Sequence, residues 1–172
     1  LSVNGAAAAI ISRDKTDIEI AASSMCVDRI SAFESEDMTT WDATRIAAEE
    51  AYEQAEVTPE QLDIAELHDA FTSVELISYE DLGFCKKGEG KNLIRNGITN
   101  LNGKLPVNTS GGLKAKGHPI SATGISQIYE LVKQMRKQAG ERQVDNIKYA
   151  LAQNIGGAGS TVTVHILKKV ST

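Results

Sequence analysis

The chain has 172 residues, 41% of them hydrophobic, and a formal net charge of −5. That length supports a substantial core and a single domain spanning residues 1–172. The acidic balance excludes the basic face that a nucleic-acid binder needs, and without a run of about 18 apolar residues no membrane-spanning helix is expected.

The chain opens on Leu1-Ser2-Val3-Asn4-Gly5. This segment has no initiator methionine and no basic n-region, so a piece of a longer protein without a secretory signal is expected here. Residues 5–12 (GAAAAIIS) form an apolar run that reads as a buried strand or a helix start. Residues 17–24 alternate, with Ile18 and Ile20 on one face, and predict a strand. Thr40 is positioned to cap a helix over 41–56. The inner face of that helix carries Ala43, Ala47, Ala51 and Ala55, flanked by Ile46 and Tyr52. Thr58-Pro59-Glu60-Gln61 is a helix-start signature, with a capping Thr, Pro at the first position and Gln reaching back.

Ile64 to Leu67 read as a strand leading into His68-Asp69. Residues 70–83 are predicted helical, with Val74, Ile77 and Leu82 inward and Gly83 as the stop. Residues 84–112 are polar and rich in Gly and Asn, too long for an idle connector; they are a functional loop or a flexible excursion. A helix over 120–138 is expected to bury Ile125, Ile128, Leu131, Val132 and Met135. Residues 148–154 and 161–167 alternate around a glycine-rich turn and predict an antiparallel hairpin. The sum is an α/β fold, a layered domain with a mixed sheet of about five strands between helices.

Three segments place polar groups beside small residues at a strand end or helix start: His68-Asp69-Ala70-Phe71, Gly117-His118-Pro119, and Asn154-Ile155-Gly156-Gly157-Ala158-Gly159. In open α/β sheets ligands collect at such ends, so these three are candidates for one pocket. His118, held between Gly and Pro, presents one titratable ring at a helix start. His68 can act in chemistry or pair with Asp69 to hold a turn; Asn154 can line the site or cap the hairpin. Glu66 shares strand parity with His68 and either orients it or is a solvated carboxylate. His165 alternates with Val164 and Ile166 and reads as structural. Cys26 and Cys85 show no ligand spacing and read as free thiols of a reducing, cytoplasmic setting. The three histidines offer no HExxH-type spacing, so no metal site is expected.

The run Gly117-His118-Pro119-Ile120-Ser121-Ala122-Thr123-Gly124 is similar to the thiolase motif GHPxGATG. His68-Asp69-Ala70-Phe71 matches the HDxF variant of the family's NEAF motif, and Asn154 to Gly159 stands where most thiolases carry CxGxG. Asn4-Gly5-Ala6-Ala7-Ala8 resembles the strand that begins the family's C-terminal half. Tyr79-Glu80-Asp81-Leu82-Gly83-Phe84, with Lys87-Gly88-Glu89-Gly90, resembles archaeal-type acetyl-CoA acetyltransferases and sterol-carrier-type thiolases. Nearly the whole chain thus resembles the C-terminal half of a thiolase, with the N-terminal half absent.

The resemblance implies an acetyl-CoA C-acetyltransferase that forms or cleaves acetoacetyl-CoA through an acyl-cysteine on the N-terminal half. This chain alone is then expected to be inactive. His118 becomes the base that activates that cysteine, which is a poor nucleophile until an imidazole takes its proton. His68 becomes an oxyanion-hole donor, and the Gly156 backbone N–H contributes to a second such hole. A coenzyme A thioester is the substrate, with no covalently bound cofactor.

Asn154 and Ala70 stand where the family's second cysteine is found, and Ser121 replaces a common glycine. These departures keep open a thiolase-like retro-aldolase, which needs no acyl-cysteine, and a non-catalytic lipid-carrier or scaffold subunit. Lys86, Lys87, Lys114 and Lys116 either attract CoA phosphates or are ordinary loop charges. The implied partners are the N-terminal thiolase half, further copies of the protein in a homo-oligomer, and a DUF35-type OB-fold protein with a zinc ribbon.

Overall fold

The computed structural model describes residues 2–31 and 34–170; Leu1, Ala32, Phe33, Ser171 and Thr172 lie outside it. Four strands form one mixed sheet: β1 (Ile18–Val27), β2 (Ile64–Glu66), β3 (Tyr149–Gly156) and β4 (Thr161–Lys169), in spatial order β1-β4-β3-β2. β3 and β4 form the expected antiparallel hairpin, with Asn154 opposite Thr163 and Gly156 opposite Thr161. β1 continues it antiparallel to β4, with a bulge between Ile20 and Ala22. β2 lies parallel to β3, Glu66 opposite Ala152. Its register begins at Ile64, opposite Ala150, and just before it the Asp63 carboxylate accepts the N–H groups of Lys148 and Tyr149.

The alternation of β3 sorts the core into two faces. Leu151 and Ile155 point to one side. There they meet Val162, Val164 and Ile166 of β4 and the alanine face of helix α1 (Asp42–Ala55). Ala43, Ala47 and Ala51 are fully buried, and their small size lets the helix lie close on the sheet. Ala150 and Ala152 point the other way, against Leu131 and Met135 of helix α5 (Thr123–Met135). Helices α2 (Thr72–Asp81), α3 (Gly90–Arg95) and α4 (Gly112–Lys116) complete the chain, with short 3-10 turns at Pro59–Gln61 and Gly140–Arg142.

Several expectations are corrected. The sheet has four strands rather than about five, because the run 5–12 forms no strand; Ile10 is 98% exposed. Thr40 does not cap α1. Its hydroxyl and the N–H of Trp41 both donate to Asp81, so a carboxylate from the end of α2 serves the start of α1. Ile46 is exposed and Ile125 is 38% exposed, so neither is a core contact. On α2 the buried residues are Ser78, Tyr79 and Asp81; Leu82, just past its end, and half-buried Val74 join the core as expected, whereas half-buried Ile77 does not.

Residues 84–112 are an ordered excursion. They contain α3 and return along the free edge of β2, where Ala65 donates to Pro106 O and Asn108 donates to Ala65 O. The Asn108 carbonyl oxygen on the side chain accepts from Leu67 N–H, and its amide donates to Glu75. That edge covering positions the loop that carries residues 109–118.

Candidate active site

His118 sits in a turn opened by a glycine. Gly117 has φ +79°, and a β-carbon there would collide with Val3. After the histidine, Pro119 O accepts the N–H groups of Ala122 and Thr123, which opens α5. The ring is then fixed by Thr123, whose hydroxyl lies 2.7 Å from His118 Nδ1 and 3.2 Å from Pro119 O. A carbonyl only accepts and a hydroxyl has one hydrogen. Both contacts are therefore made together when Thr123 donates to Pro119 O and accepts from His118 Nδ1–H. The lone pair of His118 is then left on Nε2, as a base requires.

His68 follows β2 and is 6% exposed, its backbone N–H bound to the side-chain carbonyl of Gln153. Asp69 does not pair with its ring. The Asp69 carboxylate accepts from Leu113 N–H at the start of α4, against Gly112, whose φ of +65° and missing β-carbon make room for it. The His68 ring stands edge-on to that of His118, centroids 4.9 Å apart and planes at 89°. Burial foremost, and the neighbouring His118, push the His68 pKa down to about 4, with Asp69 opposing. His68 is neutral at pH 7.

Asn154 reaches the same place from β3. Its Nδ2 lies 3.3 Å from His68 Nδ1 and 3.0 Å from Gln127 Oε1. Gly124 of α5 faces it, and a β-carbon there would make only ordinary contact with Asn154, 3.7 Å from its Cγ. Gly156 is two residues further along β3 and shares the face of Asn154. A β-carbon at Gly156 would meet only ordinary contacts with Thr161, so local packing does not demand glycine there. The three candidate segments thus converge, with His68, His118 and Asn154 in one cluster.

A family model, "Thiolase C-terminal domain-like", matches residues 24–169. The chain belongs to this thiolase family. Acetyl-CoA acetyltransferase of Methanothermobacter thermautotrophicus is 43% identical over 96% of the chain and 45% of that protein. Sterol carrier protein 2 of Homo sapiens is 41% identical over 92% of the chain and 31% of that protein. The chain therefore spans less than half the length of these relatives. Among solved structures, an Ltp2-ChsH2(DUF35) aldolase superposes with a TM-score of 0.78 at 26% identity, covering 88% of the chain and 39% of that protein. The acetyl-CoA acetyltransferase of Bacillus anthracis, at TM-score 0.59 and 16% identity over 91% of the chain and 31% of its own, shares the fold.

Other candidates in this thiolase domain fall away from the cluster. Glu66 is 1% exposed, so it is not solvated, and its carboxylate is engaged away from the histidine pair. It accepts from the N–H and hydroxyl of Ser110, with Lys116 Nζ 3.7 Å away, and burial raises its pKa against those partners. Lys116 also donates to Ser110, and Lys87 is drawn to Thr39 O and the carboxylates of Glu80 and Asp81. Those two lysines are engaged within the chain. Cys26 and Cys85 pack against the α1 side of the sheet. Burial raises both thiols, Cys85 to about 11, so neither is an activated nucleophile. His165 bonds Ser23 across the β1–β4 pair, a structural contact. Among the described residues no group of His, Cys, Asp and Glu is gathered to hold a metal ion, and no helix is long and apolar enough to cross a membrane.

Thr123, Gln127 and Gln153 carry no apolar periodicity that would mark them in the sequence. Thr123, Gln127, Glu130 and Gln134 recur at three- and four-residue spacing on α5 and are all buried. A polar stripe with helical period inside an amphipathic helix was the available signal.

Proposed function

We propose that this chain carries the histidine half of a thiolase active site, in an enzyme that transfers an acetyl group through a cysteine thioester. The observation that carries the reading is the pair His118 and His68, one ring with a free Nε2 lone pair and the other neutral and able to donate. The acetyl-CoA acetyltransferase relatives support it.

In this mechanism the nucleophilic cysteine comes from an N-terminal half beyond this chain. His118 Nε2 takes the proton from its thiol, and the thiolate attacks the thioester carbon of acetyl-CoA. As the carbonyl oxygen becomes an oxyanion, the His68 ring N–H donates to it, and the Gly156 backbone N–H serves the later oxyanion. Collapse breaks the carbon–sulfur bond, coenzyme A leaves with a proton from His118, and the acetyl group stays on the cysteine. A second acetyl-CoA, deprotonated at its methyl carbon, would then form acetoacetyl-CoA; thiolysis is the reverse.

A second reading is a thiolase-like retro-aldolase with a DUF35-type partner. The aldolase superposition favours it, as do Asn154 and Ala70 at the positions of the family's second cysteine. Both readings fit a protein of a reducing compartment such as the cytoplasm, since Cys26 and Cys85 are unpaired.

Incubating the intact protein with acetyl-CoA and mapping acetylated peptides by mass spectrometry separates the two readings. The acyl-transfer reading requires one acetylated cysteine upstream of this chain. Aldol cleavage that survives replacement of that cysteine supports the aldolase instead.

A further inference from the structure

The amide of Gln127 sits at the head of a hydrogen-bond chain that ends on the His68 ring. Gln127 is 1% exposed. Its Nε2 faces two backbone carbonyls, Gln153 O at 3.0 Å and Glu66 O at 3.3 Å. Carbonyls only accept, so the group facing them is the NH₂ and both its hydrogens are used. Gln127 Oε1 is therefore an acceptor, and the group 3.0 Å from it on Asn154 must be that residue's NH₂. The second Asn154 hydrogen is directed at His68 Nδ1, 3.3 Å away. His68 Nδ1 then accepts, and the ring proton of the neutral imidazole lies on Nε2.

We propose that Gln127, acting through Asn154, is a positioning residue that fixes His68 as the Nε2–H tautomer. The result is opposite to that at His118, where Thr123 leaves the proton on Nδ1. Two imidazoles 4.9 Å apart are thus assigned different tasks by different neighbours: one keeps a lone pair at Nε2 and the other a hydrogen. The functional consequence, donation from His68 Nε2 to a developing oxyanion, rests on the acyl-transfer reading; the proton position does not. The two backbone carbonyls belong to adjacent strands, Glu66 in β2 and Gln153 in β3. Sheet pairing itself therefore orients the amide. Asn154, where most thiolases carry cysteine, is here the link between the sheet and the histidine.

The test is magic-angle-spinning NMR of the intact protein labelled with ring ¹⁵N histidine. His68, His118 and His165 are the only histidines of this chain, and variants of His165 assist assignment. The expected result at pH 7 is a His68 ring with bare Nδ1 and protonated Nε2. Asn154→Asp places an acceptor beside Nδ1 and is expected to move the proton there. Gln127→Leu releases the Asn154 amide and is expected to give a mixture of tautomers. A wild-type His68 protonated at Nδ1 overturns the proposal without any variant, as does an unchanged His68 spectrum in both variants. Failure of the intact protein to transfer acetyl groups would count against the acyl-transfer reading alone, because the spectrum is read without substrate.

Discussion

His68 presents its ring edge-on to that of His118, at 89° and 4.9 Å between centroids, and the two rings belong to segments fifty residues apart in the chain. Burial foremost, and then the neighbouring His118, hold His68 neutral.

That neutrality makes stability fall with acid. The unfolded chain binds a proton at His68 near pH 6.5, whereas the folded site resists it until about 4. Between those values the unfolded state holds more protons, so stability drops as pH is lowered, by at most ~3 kcal/mol from this group. Urea denaturation across that window is expected to show a shallower pH slope in His68→Asn. A residual slope remains, because burial also lowers the His165 pKa.

Thr123 holds His118 Nδ1 from a position 2% exposed. Thr123→Val keeps the shape and removes the hydroxyl. On the acyl-transfer reading, kcat is expected to fall about 10- to 100-fold with little change in KM. Steady-state kinetics over a pH series reads it, and an unchanged kcat would remove Thr123 from the positioning of the base.

Ser121 has φ +72° in the turn between His118 and α5, a conformation costly for any residue with a β-carbon. Ser121→Gly is expected to stabilise the fold by about 1 kcal/mol. Chemical denaturation measures it; destabilisation would mean that the serine side chain contributes more than the strain removes.

Gly112 is the opposite case, since a β-carbon there would overlap the Asp69 carboxylate that binds Leu113 N–H. Gly112→Ala is expected to cost about 2 kcal/mol or more. It is also expected to disturb the His68 ring, because Asp69 is its neighbour in the chain. Denaturation together with His68 NMR shifts reads both effects.

What was legible in the sequence followed from local chemistry. The β3–β4 hairpin, β1, α1, the capped turn at Thr58 and α5 were all announced by period and punctuation. The three converging segments were announced by small residues beside polar groups at element ends. The apolar run 5–12 was misleading, because a string of alanines and isoleucines records hydrophobicity and not a pairing partner; no described strand receives it. Capping of α1 by Asp81 was hidden because the carboxylate arrives from 40 residues away. The burial of Gln153 and the partners of Glu66 were hidden because a buried polar side chain is indistinguishable from a solvated one until its partners are known, and Gln127 was signalled only by the polar stripe of α5.

The central claim is that His118 is the base of an acyl-transfer site. Its most direct test is thiolysis of acetoacetyl-CoA by coenzyme A, followed with the intact wild-type protein and with His118→Ala. Turnover is expected in the wild type, and a loss of at least about 100-fold in kcat in the variant, with fold stability retained. Wild-type turnover that survives in His118→Ala would contradict it.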